Sequence, residues 1–525
     1  MSFKIHLPKI HAIERTPLVD QLLDIIDQIQ KDNDRLREEV ARAKGLKGKP
    51  KLRASGLGKS TSDKNQAGSN NKKRSAGKKS SKSNKSDRTE IVKAETVPSG
   101  SRFKGYSNYR VEELILRREV ILYRLERWQL ADGSYMTASL PAGVSGSHFG
   151  PTLRSYVLHQ HHHQGVTQPL LLAGLKELKF TISSGQLNNL LIEKKGAFHK
   201  EKDGLLPAAF SVSDYVHVDD TGARHQGNNG YCTHIGNELF AWFESTRSKS
   251  RINFLTLLRR GHSDYILNNH SFSYMKRQKL APAIREKLVS CAKHFFMDES
   301  AWQSYLTELG ITRPRHIKII TEAALIGSVL SHGFRMNTVI MSDDAGQFNI
   351  FKHVLCWFHI ERNIYKLMPN GKQQIAAVEH VRKRIWTLYQ QLKKYKKRPH
   401  AATRKKAERL FDELTTKETC YQLLNNQLKK IKDSRPELLM ILDRPELPLH
   451  NNLSERDIRE YVKRRKISGS TRSEEGRRCR DTFASLKKTA LKLGVPFWDY
   501  LMDRMTGAKQ VPWLPNLLVE TGKAI

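Results

Sequence analysis

The stretch Tyr215-Val216-His217-Val218-Asp219-Asp220-Thr221-Gly222 decides the fold, because it reads as a strand that ends in two carboxylates and a glycine. After it come the turn-forming residues Asn228-Asn229-Gly230 and two further β-type runs, Tyr231–Ile235 and Leu239–Phe243. Short β-type runs separated by asparagine and glycine predict consecutive strands joined by hairpins. The sequence therefore predicts a sheet whose first strand carries both aspartates.

A second acidic strand end lies further along the chain. The run 337–346 is again apolar and ends in Asp343 and Asp344 before a glycine. Aspartates are common at strand ends, so either pair alone could belong to an ordinary turn. Neighbouring strand residues point to opposite faces, so only one member of each pair can face a shared site. The sequence leaves the choice between Asp219 and Asp220, and between Asp343 and Asp344, open.

A third acidic residue, Glu455, falls in the first turn of a predicted helix that begins after an asparagine N-cap at Asn451. A glutamate in this position could simply interact with the helix dipole. The joint placement of Asp219, Asp343 and Glu455 instead indicates three converging carboxylates, which repel one another unless cations lie between them. Two Mg²⁺ or Mn²⁺ ions in such a site suit phosphodiester chemistry, since they stabilise the attacking and the leaving oxygen together.

The charge of the chain indicates its partner. Its 91 lysines and arginines against 53 aspartates and glutamates give a formal net charge of +38. Such an excess predicts a polyanionic partner, with nucleic acid favoured over an anionic membrane surface. The sequence has no uninterrupted apolar run of about 18 residues and no CxxC pair among its five cysteines. We therefore expect a cytoplasmic protein without a disulfide framework or a zinc ribbon.

Ahead of the strands, residues 16–44 carry apolar side chains at alternating spacings of three and four, from Val19 to Val40, with Asn33 inside the seam. This heptad pattern predicts a coiled-coil dimerisation helix in which the lone asparagine fixes the register. A single amphipathic helix packed on the protein's own core is the alternative. Residues 45–93 are rich in serine, asparagine, glycine and lysine, which predicts a disordered basic linker that contacts phosphates or serves only as a tether.

Residues 105–200 predict a small β/helical DNA-binding region. The runs 111–116 and 120–125 and the turn Asp132-Gly133 favour a β-meander. Short helices are predicted after it, the last of them capped by Ser183, and two of these resemble a helix-turn-helix. Short helix pairs also form simply by packing on one another. The side chains that a helix-turn-helix would place near a major groove are Gln186, Asn188 and Asn189.

Several motifs together resemble the insertion sequence 66 family of bacterial transposases. The first is the stretch 216–222, and the second is Ser342-Asp343-Asp344, followed by Cys356-Trp357-Phe358-His359 and then Arg362. The most specific is Asn451-Asn452-Leu453-Ser454-Glu455-Arg456-Asp457-Ile458-Arg459, which continues into Arg464-Arg465-Lys466. The resemblance covers Leu140–Leu501.

This resemblance implies an α/β fold with a ribonuclease-H-like mixed sheet at 210–505, helical insertions at 264–315 and 373–440, and a C-terminal tail at 506–525. It implies that Asp219, Asp343 and Glu455 form a catalytic triad that holds the metal ions. The residues that would support the site are Cys356, His359, Asn451 and Asn452, with a plain core pair as the alternative for the first two. The cationic residues that would hold DNA phosphates are Arg456, Arg459, Lys463, Arg464, Arg465 and Lys466, with a solvated charged face as the alternative.

The implied activity is that of a metal-dependent DNA transposase, which hydrolyses a phosphodiester at each end of a mobile element and joins the freed 3′-hydroxyl to target DNA. The expected partners are double-stranded DNA with terminal inverted repeats, target DNA, a second copy in a homodimer or higher oligomer, and accessory proteins of the same element. Association with the bacterial nucleoid is expected too. A catalytically inactive DNA-binding derivative and a metal nuclease of the same fold remain open. Unlike the family, Tyr109–Pro141 contains no cysteine for a zinc site, and the interval between the two aspartates is longer.

Overall fold

The computed structural model of the chain describes residues 87–144, 146–290 and 293–524, together with eight positions between 16 and 29. Of those eight, residues 18, 19, 22, 25, 26, 28 and 29 are helical, and the Val19 amide donates to Thr16 Oγ1 at 3.3 Å. The remainder of the predicted heptad helix, with Asn33 and Val40, and the part of the predicted linker before residue 87 lie outside the described residues.

The chain forms short strands and many helices. In chain order, the strands are β1 (Arg127–Gln129), β2 (Tyr135–Thr137), β3 (Tyr215–His225), β4 (Asn228–Gly236), β5 (Ala241–Thr246), β6 (Tyr265–Ile266), β7 (Phe295–Phe296), β8 (Val339–Ser342) and β9 (Lys352–Leu355). The helices before β8 are α1 (Pro151–His159), α2 (Gln168–Glu177), α3 (Ser184–Ile192), α4 (Gly196–Val212), α5 (Arg251–Leu258), α6 (Asn269–Arg277), α7 (Pro282–Ser290), α8 (Glu299–Glu308) and α9 (Pro314–Ser331). A π-helical turn, Gln160–Gln164, continues α1.

The helices after β9 complete the molecule. They are α10 (Trp357–Tyr365), α11 (Lys372–Lys397), α12 (Ala401–Thr416), α13 (Gln422–Asp433), α14 (Arg435–Leu439), α15 (Asn452–Ser468), α16 (Glu474–Lys492), α17 (Phe497–Thr506) and α18 (Leu514–Ala524). A short 3-10 turn, Met440–Leu442, follows α14. The segments predicted as helical insertions, 264–315 and 373–440, are thus mostly helical, the first with the two-stranded sheet β6–β7 added.

The central element is a mixed five-stranded sheet with the strand order β5-β4-β3-β8-β9. Strands β3, β4 and β5 are antiparallel neighbours, which confirms the three hairpin-linked strands predicted from sequence. Strand β8 pairs parallel with β3, and β9 pairs parallel with β8. Because β8 lies directly beside β3, the two acidic strand ends are neighbours in space. The fold is of the mixed α/β class.

Helices cover both faces of the sheet and one of its edges. Val216 and Val218 of β3 lie in the larger apolar core, whereas Val339 and Met341 of β8 lie in a second core shared with the helices after β9. Helix α16 runs along the edge strand β5. Its residues Asp481, Ser485 and Thr489 accept hydrogen bonds from the amides of Ser245, Phe243 and Ala241, at 2.8, 2.9 and 3.2 Å. These bonds satisfy the amides of an edge that would otherwise be open to pairing with another chain.

Two regions differ from the sequence-based expectation. The runs 111–116 and 120–125 do not form strands, and their apolar side chains, such as Leu114 and Leu122, are exposed. β-branched and leucine-rich runs form strands only where a neighbouring strand and a packed face stabilise them, and this segment contacts neither. What remains of the predicted meander is the hairpin β1–β2, which turns at Asp132 and Gly133. At the other end, the expected tail contains α18, which buries Leu514 and Leu518.

No helix in the described ranges combines the length and the apolar character that crossing a membrane requires.

Candidate active site

Asp219 lies in β3, opposite His234 of β4, on the face of the sheet that packs against α15. Its Oδ1 accepts a hydrogen bond from the Asp220 amide at 2.8 Å. Burial raises the pKa of Asp219 to about 7, and the nearby carboxylates of Asp343, Asp220 and Glu455 raise it further against that hydrogen bond. The three acids singled out from sequence are therefore within electrostatic reach of one another.

Asp220, the rival of Asp219, is held by other protein groups. Its Oδ1 accepts from Thr233 Oγ1 at 2.5 Å, and its Oδ2 accepts from Gln347 Nε2 at 2.9 Å. Burial raises the pKa of Asp220 as well, while these two hydrogen bonds and Lys249 oppose the rise. Both oxygens of Asp220 thus already have protein donors, whereas Asp219 has a single one.

Asp343 follows the last residue of β8, and its Oδ1 accepts from the Ala345 amide at 3.1 Å. Its charge acts on Asp219, on Asp220 and on His359. Asp344 is exposed, and the cation that acts on its carboxylate is Lys430 of the helical insertion. The geometry therefore brings Asp343, rather than Asp344, to the acidic cluster.

Glu455 lies in the first turn of α15, as predicted. Its Oε1 is buried and has no hydrogen-bond partner among the described residues. The cations nearest to this oxygen are His359 Nε2 at 3.6 Å and Arg362 NH1 at 4.0 Å, both from α10. An unpartnered buried carboxylate oxygen is costly unless another ligand satisfies it.

The start of α15 is fixed to β3 by Asn451. The side chain does not cap the helix, contrary to the sequence-based expectation. It instead bonds His217 Nδ1 at 2.8 Å and donates to the Val218 carbonyl at 2.8 Å. The Asn451 amide also donates to Cys356 Sγ at 3.2 Å. This buried asparagine therefore sets the position of Glu455 relative to Asp219, and the half-buried Asn452 opens the helix beside it.

Two residues further into α15, a buried polar network ties the helix to its other neighbours. His234 Nδ1 bonds Ser454 Oγ at 2.6 Å, and its Nε2 lies 3.3 Å from Asp457 Oδ2. Asp457 also pairs with Lys492 of α16 at 2.6 Å. Burial alone would raise the pKa of Asp457, but His234 and Lys492 hold it well below its usual range. Sequence reasoning missed His217, His234 and Asp457, although the alternation that placed Asp219 also places His217 on the same face.

Cys356 and His359 belong to α10, which starts directly after β9. Burial raises the pKa of the Cys356 thiol to about 11, so this group is neutral and serves as the acceptor for Asn451. Burial lowers the pKa of His359, although the charges of Asp343 and Glu455 oppose the shift. Both residues therefore contact the acidic cluster or the residue that positions it.

The basic residues after Glu455 separate into two groups. Arg456, Arg459, Lys463 and Lys466 are exposed, and their spacing of three and four places them along one face of α15. Arg464 donates instead to the carbonyl and ring of His161, and Arg465 donates to the Gly222 carbonyl. These two guanidinium groups thus connect α15 to the π-helical turn and to β3.

The predicted helix pair is present as α2 and α3, and Ser183 caps α3 through a reciprocal capping box with Gln186. Gln186 and Asn189 are exposed, whereas Asn188 is half-buried and accepts from Gln168 Nε2 at 3.2 Å. The buried Leu187 and Leu191 attach α3 to the larger core.

A different cluster has the closest spacing of metal-ligand atoms in the described ranges. The ligand atoms of His262, Asp264 and His332 all lie within 4.8 Å of one another, and the three triad carboxylates do not form so compact a group. His332 Nε2 contacts both oxygens of Asp264 at 2.8 and 3.0 Å. His332 is also the C-cap of α9, where a cation is favoured. This cluster has the composition of an ion pair at a helix end.

Comparisons with known proteins agree with this architecture. A family model described as "Transposase IS66 family" matches residues 321–478, a segment that contains Asp343 and Glu455. The uncharacterized protein y4jO of Sinorhizobium fredii (strain NBRC 101917 / NGR234) is 42% identical over 307 residues, which cover 57% of this chain and 94% of that protein. No solved structure matches the chain.

The mixed sheet with its acidic cluster, together with these matches, defines a transposase-related protein. The chain belongs to the transposase IS66 family.

Proposed function

We propose that this protein is a DNA transposase that cleaves the ends of a mobile element and joins them to target DNA, with a ribonuclease-H-like catalytic domain at 210–505. The observation that carries the proposal is the convergence of Asp219, Asp343 and Glu455 from a strand, an adjacent strand end and a helix. These residues are far apart in sequence, and no structural ion pair explains why three carboxylates should meet.

The cluster fits divalent cations. It offers hard carboxylate oxygens, it raises the pKa of Asp219 through burial and mutual repulsion, and it leaves Glu455 Oε1 buried without a hydrogen-bond partner. Mg²⁺ or Mn²⁺ prefers such ligands. In this proposal Asp219, Asp343 and Glu455 hold two ions, which supply charge stabilisation for the attacking and the leaving oxygens of a phosphodiester displacement. Asp220 remains bound to Thr233 and Gln347.

The surrounding residues would orient the DNA and the acids. Asn451 holds the start of α15 against β3, and His359 faces Glu455 from α10. Arg362 is half exposed near Glu455, so its guanidinium can contact a phosphate that approaches the cluster. The exposed face formed by Arg456, Arg459, Lys463 and Lys466 then extends the DNA path away from the site. The terminal repeats and the target DNA are the proposed partners, with a second copy of the chain at the other end of the element.

The test is a cleavage and joining assay with the full chain, radiolabelled DNA that carries the ends flanking its own gene, and a supercoiled target plasmid. We expect strand cleavage at the ends and covalent joining to the target with Mg²⁺ or Mn²⁺, and neither product with EDTA. Cleavage without joining would replace the proposal with a metal nuclease. End binding without cleavage under any divalent cation would replace it with a non-catalytic DNA-binding protein.

A further inference from the structure

A basic cleft of about 730 Å³ lies beside the active-site helix. Helices α15 and α16 form one side, and the π-helical turn with α2 and α3 forms the other. Its basic lining residues are Lys463, Arg464, Arg472, Arg480, Lys487 and Lys488. The carboxylates in the same lining are Asp457 and Glu460. The cleft therefore carries an excess of positive charge.

Both of these carboxylates are already paired. Glu460 contacts Lys487 and Lys488, each at 2.6 Å, and Asp457 contacts Lys492 at 2.6 Å. Among the described residues, neither Arg464 nor Arg480 forms an ion pair with a carboxylate. Burial and the neighbouring Arg480 lower the pKa of Arg464 to about 10. Cations that are crowded together without a counter-charge indicate a site for an anion.

Buried polar atoms in the wall point to the same conclusion. His162 Nε2, His163 Nδ1 and Ser468 Oγ line the cleft region, are buried, and have no hydrogen-bond partner among the described residues. The first turn of α2 also opens into the cleft, and Thr167 at its N-cap makes no side-chain capping bond. Unpaired donors of this kind are normally satisfied by a ligand or by water.

We propose that this cleft clamps the phosphate backbone of the element-end DNA, away from the bond that is cleaved. The inference rests on the proposed function, because it takes its ligand from the DNA path along α15. Lys463 lies eight residues after Glu455, which corresponds to about 12 Å along the helix. At 3.4 Å per base pair, the clamped phosphates lie about three to four or more nucleotides from the scissile phosphate. The cleft thereby brings together the helix pair α2–α3 and the catalytic helix on one DNA segment.

The test measures the binding of end-bearing duplex DNA by fluorescence anisotropy across a salt series. All variants carry Asp219→Asn, so that the DNA stays intact. The test variant is Arg472→Gln/Arg480→Gln, and the matched control is Lys405→Gln/Lys406→Gln, which removes the same charge from exposed positions on α12. A thermal melt accompanies each protein, and Lys463→Gln, an exposed single change in the cleft, replaces the test variant if that variant melts early.

We expect the test variant to bind about tenfold or more weakly at 100 mM salt, and to lower the slope of log K against log salt by about two. The control should change the affinity by less than about threefold. A second arm uses duplexes whose phosphates are neutralised by methylphosphonates at three to eight nucleotides from the mapped cleavage site. These duplexes should bind weakly to the Asp219→Asn protein and show no further loss with the test variant.

Equal effects of the test and control variants would overturn the clamp, as would methylphosphonate and cleft effects that simply add. A response to inorganic phosphate in calorimetry without any effect on DNA affinity would overturn it too, because the ligand would then be a free anion. These failures differ from failure of the proposed function, in which even the protein with an intact cleft would not bind the element ends in preference to other DNA.

Discussion

At the scale of single residues, Asp219 and Asp220 differ in what already holds their carboxylates. Asp220 has donors on both oxygens, whereas Asp219 accepts one backbone hydrogen bond and faces Asp343 and Glu455. The folded pKa of Asp219, about 7, lies above its ordinary value of 3.8. Its contribution to stability is therefore complete below pH 3.8 and is lost as the pH rises through about 7.

Asp219→Asn should consequently stabilise the metal-free protein at high pH. At pH 8 in EDTA we expect its melting temperature to exceed that of the wild type by about 2–4 °C, or about 1 kcal/mol, and the difference to shrink toward pH 4. Mg²⁺ should raise the melting temperature of the wild type and not that of the variant. Differential scanning calorimetry measures both. The matched control is Asp344→Asn at the exposed neighbour, and a pH-independent difference for Asp219→Asn would contradict the assigned repulsion.

The residue types in the site were accessible from sequence, but their partners were not. The strand pattern and the block 451–459 were sufficient to predict Asp219, Asp343 and Glu455 as candidates. The contact of Asn451 with His217, by contrast, depends on residues far apart in the chain, and a helix N-cap position alone favours local capping. Tertiary packing on β3 directs the side chain away from its own helix.

At the scale of elements, α15 is positioned by buried hydrogen bonds at its first turn. Asn451→Ala removes the bonds to His217 and to the Val218 carbonyl and leaves both groups buried without them. We expect a loss of about 2–3 kcal/mol in the free energy of unfolding, measured by urea denaturation, because buried polar groups lose their partners. Asn349→Ala, at an exposed asparagine, should change stability by less than about 0.5 kcal/mol. A loss below about 1 kcal/mol for Asn451→Ala would show that the network does not hold the helix.

The elements themselves were predictable where the pattern was local. Alternation and turn residues identified β3, β4 and β5, and Ser183 marked the start of α3. The same β-type composition in 111–125 did not produce strands, because the chain provides no packed face there. In 506–525 the apolar spacing of Leu514 and Leu518 produces a helix, although the segment follows the expected domain end.

At the scale of the whole molecule, the positive charge should make DNA binding strongly salt-dependent. Replacing two exposed residues of the α15 face, Arg459→Gln/Lys466→Gln, removes two phosphate contacts. We expect the slope of log K against log salt to fall by about two, with similar weakening for any DNA sequence. Fluorescence anisotropy with element-end and random duplexes provides the measurement. A weakening confined to one sequence, or an unchanged slope, would assign these residues to base reading or to a merely solvated face.

The predicted dimer also belongs to this scale. Leu22 and Ile29 are helical and remain 49% and 53% exposed in the single chain, as expected for residues awaiting a partner helix. Sedimentation analysis should find the full chain as a dimer or higher oligomer, and Leu22→Lys/Ile29→Lys as a smaller species with an unchanged melting temperature. An unchanged oligomeric state in this variant would remove the N-terminal helix as the dimer contact.

The central claim is that the three acids carry out strand cleavage, and the single-turnover rate of end cleavage in Mg²⁺ by Glu455→Gln tests it most directly. Glutamine keeps the size of the side chain and its place in α15 but removes the charge that a cation requires. We predict a rate at least about 1,000-fold below that of the wild type, with end binding retained, while Asp344→Asn cleaves at the wild-type rate. Cleavage by Glu455→Gln within about tenfold of the wild-type rate would contradict the assignment of the active site.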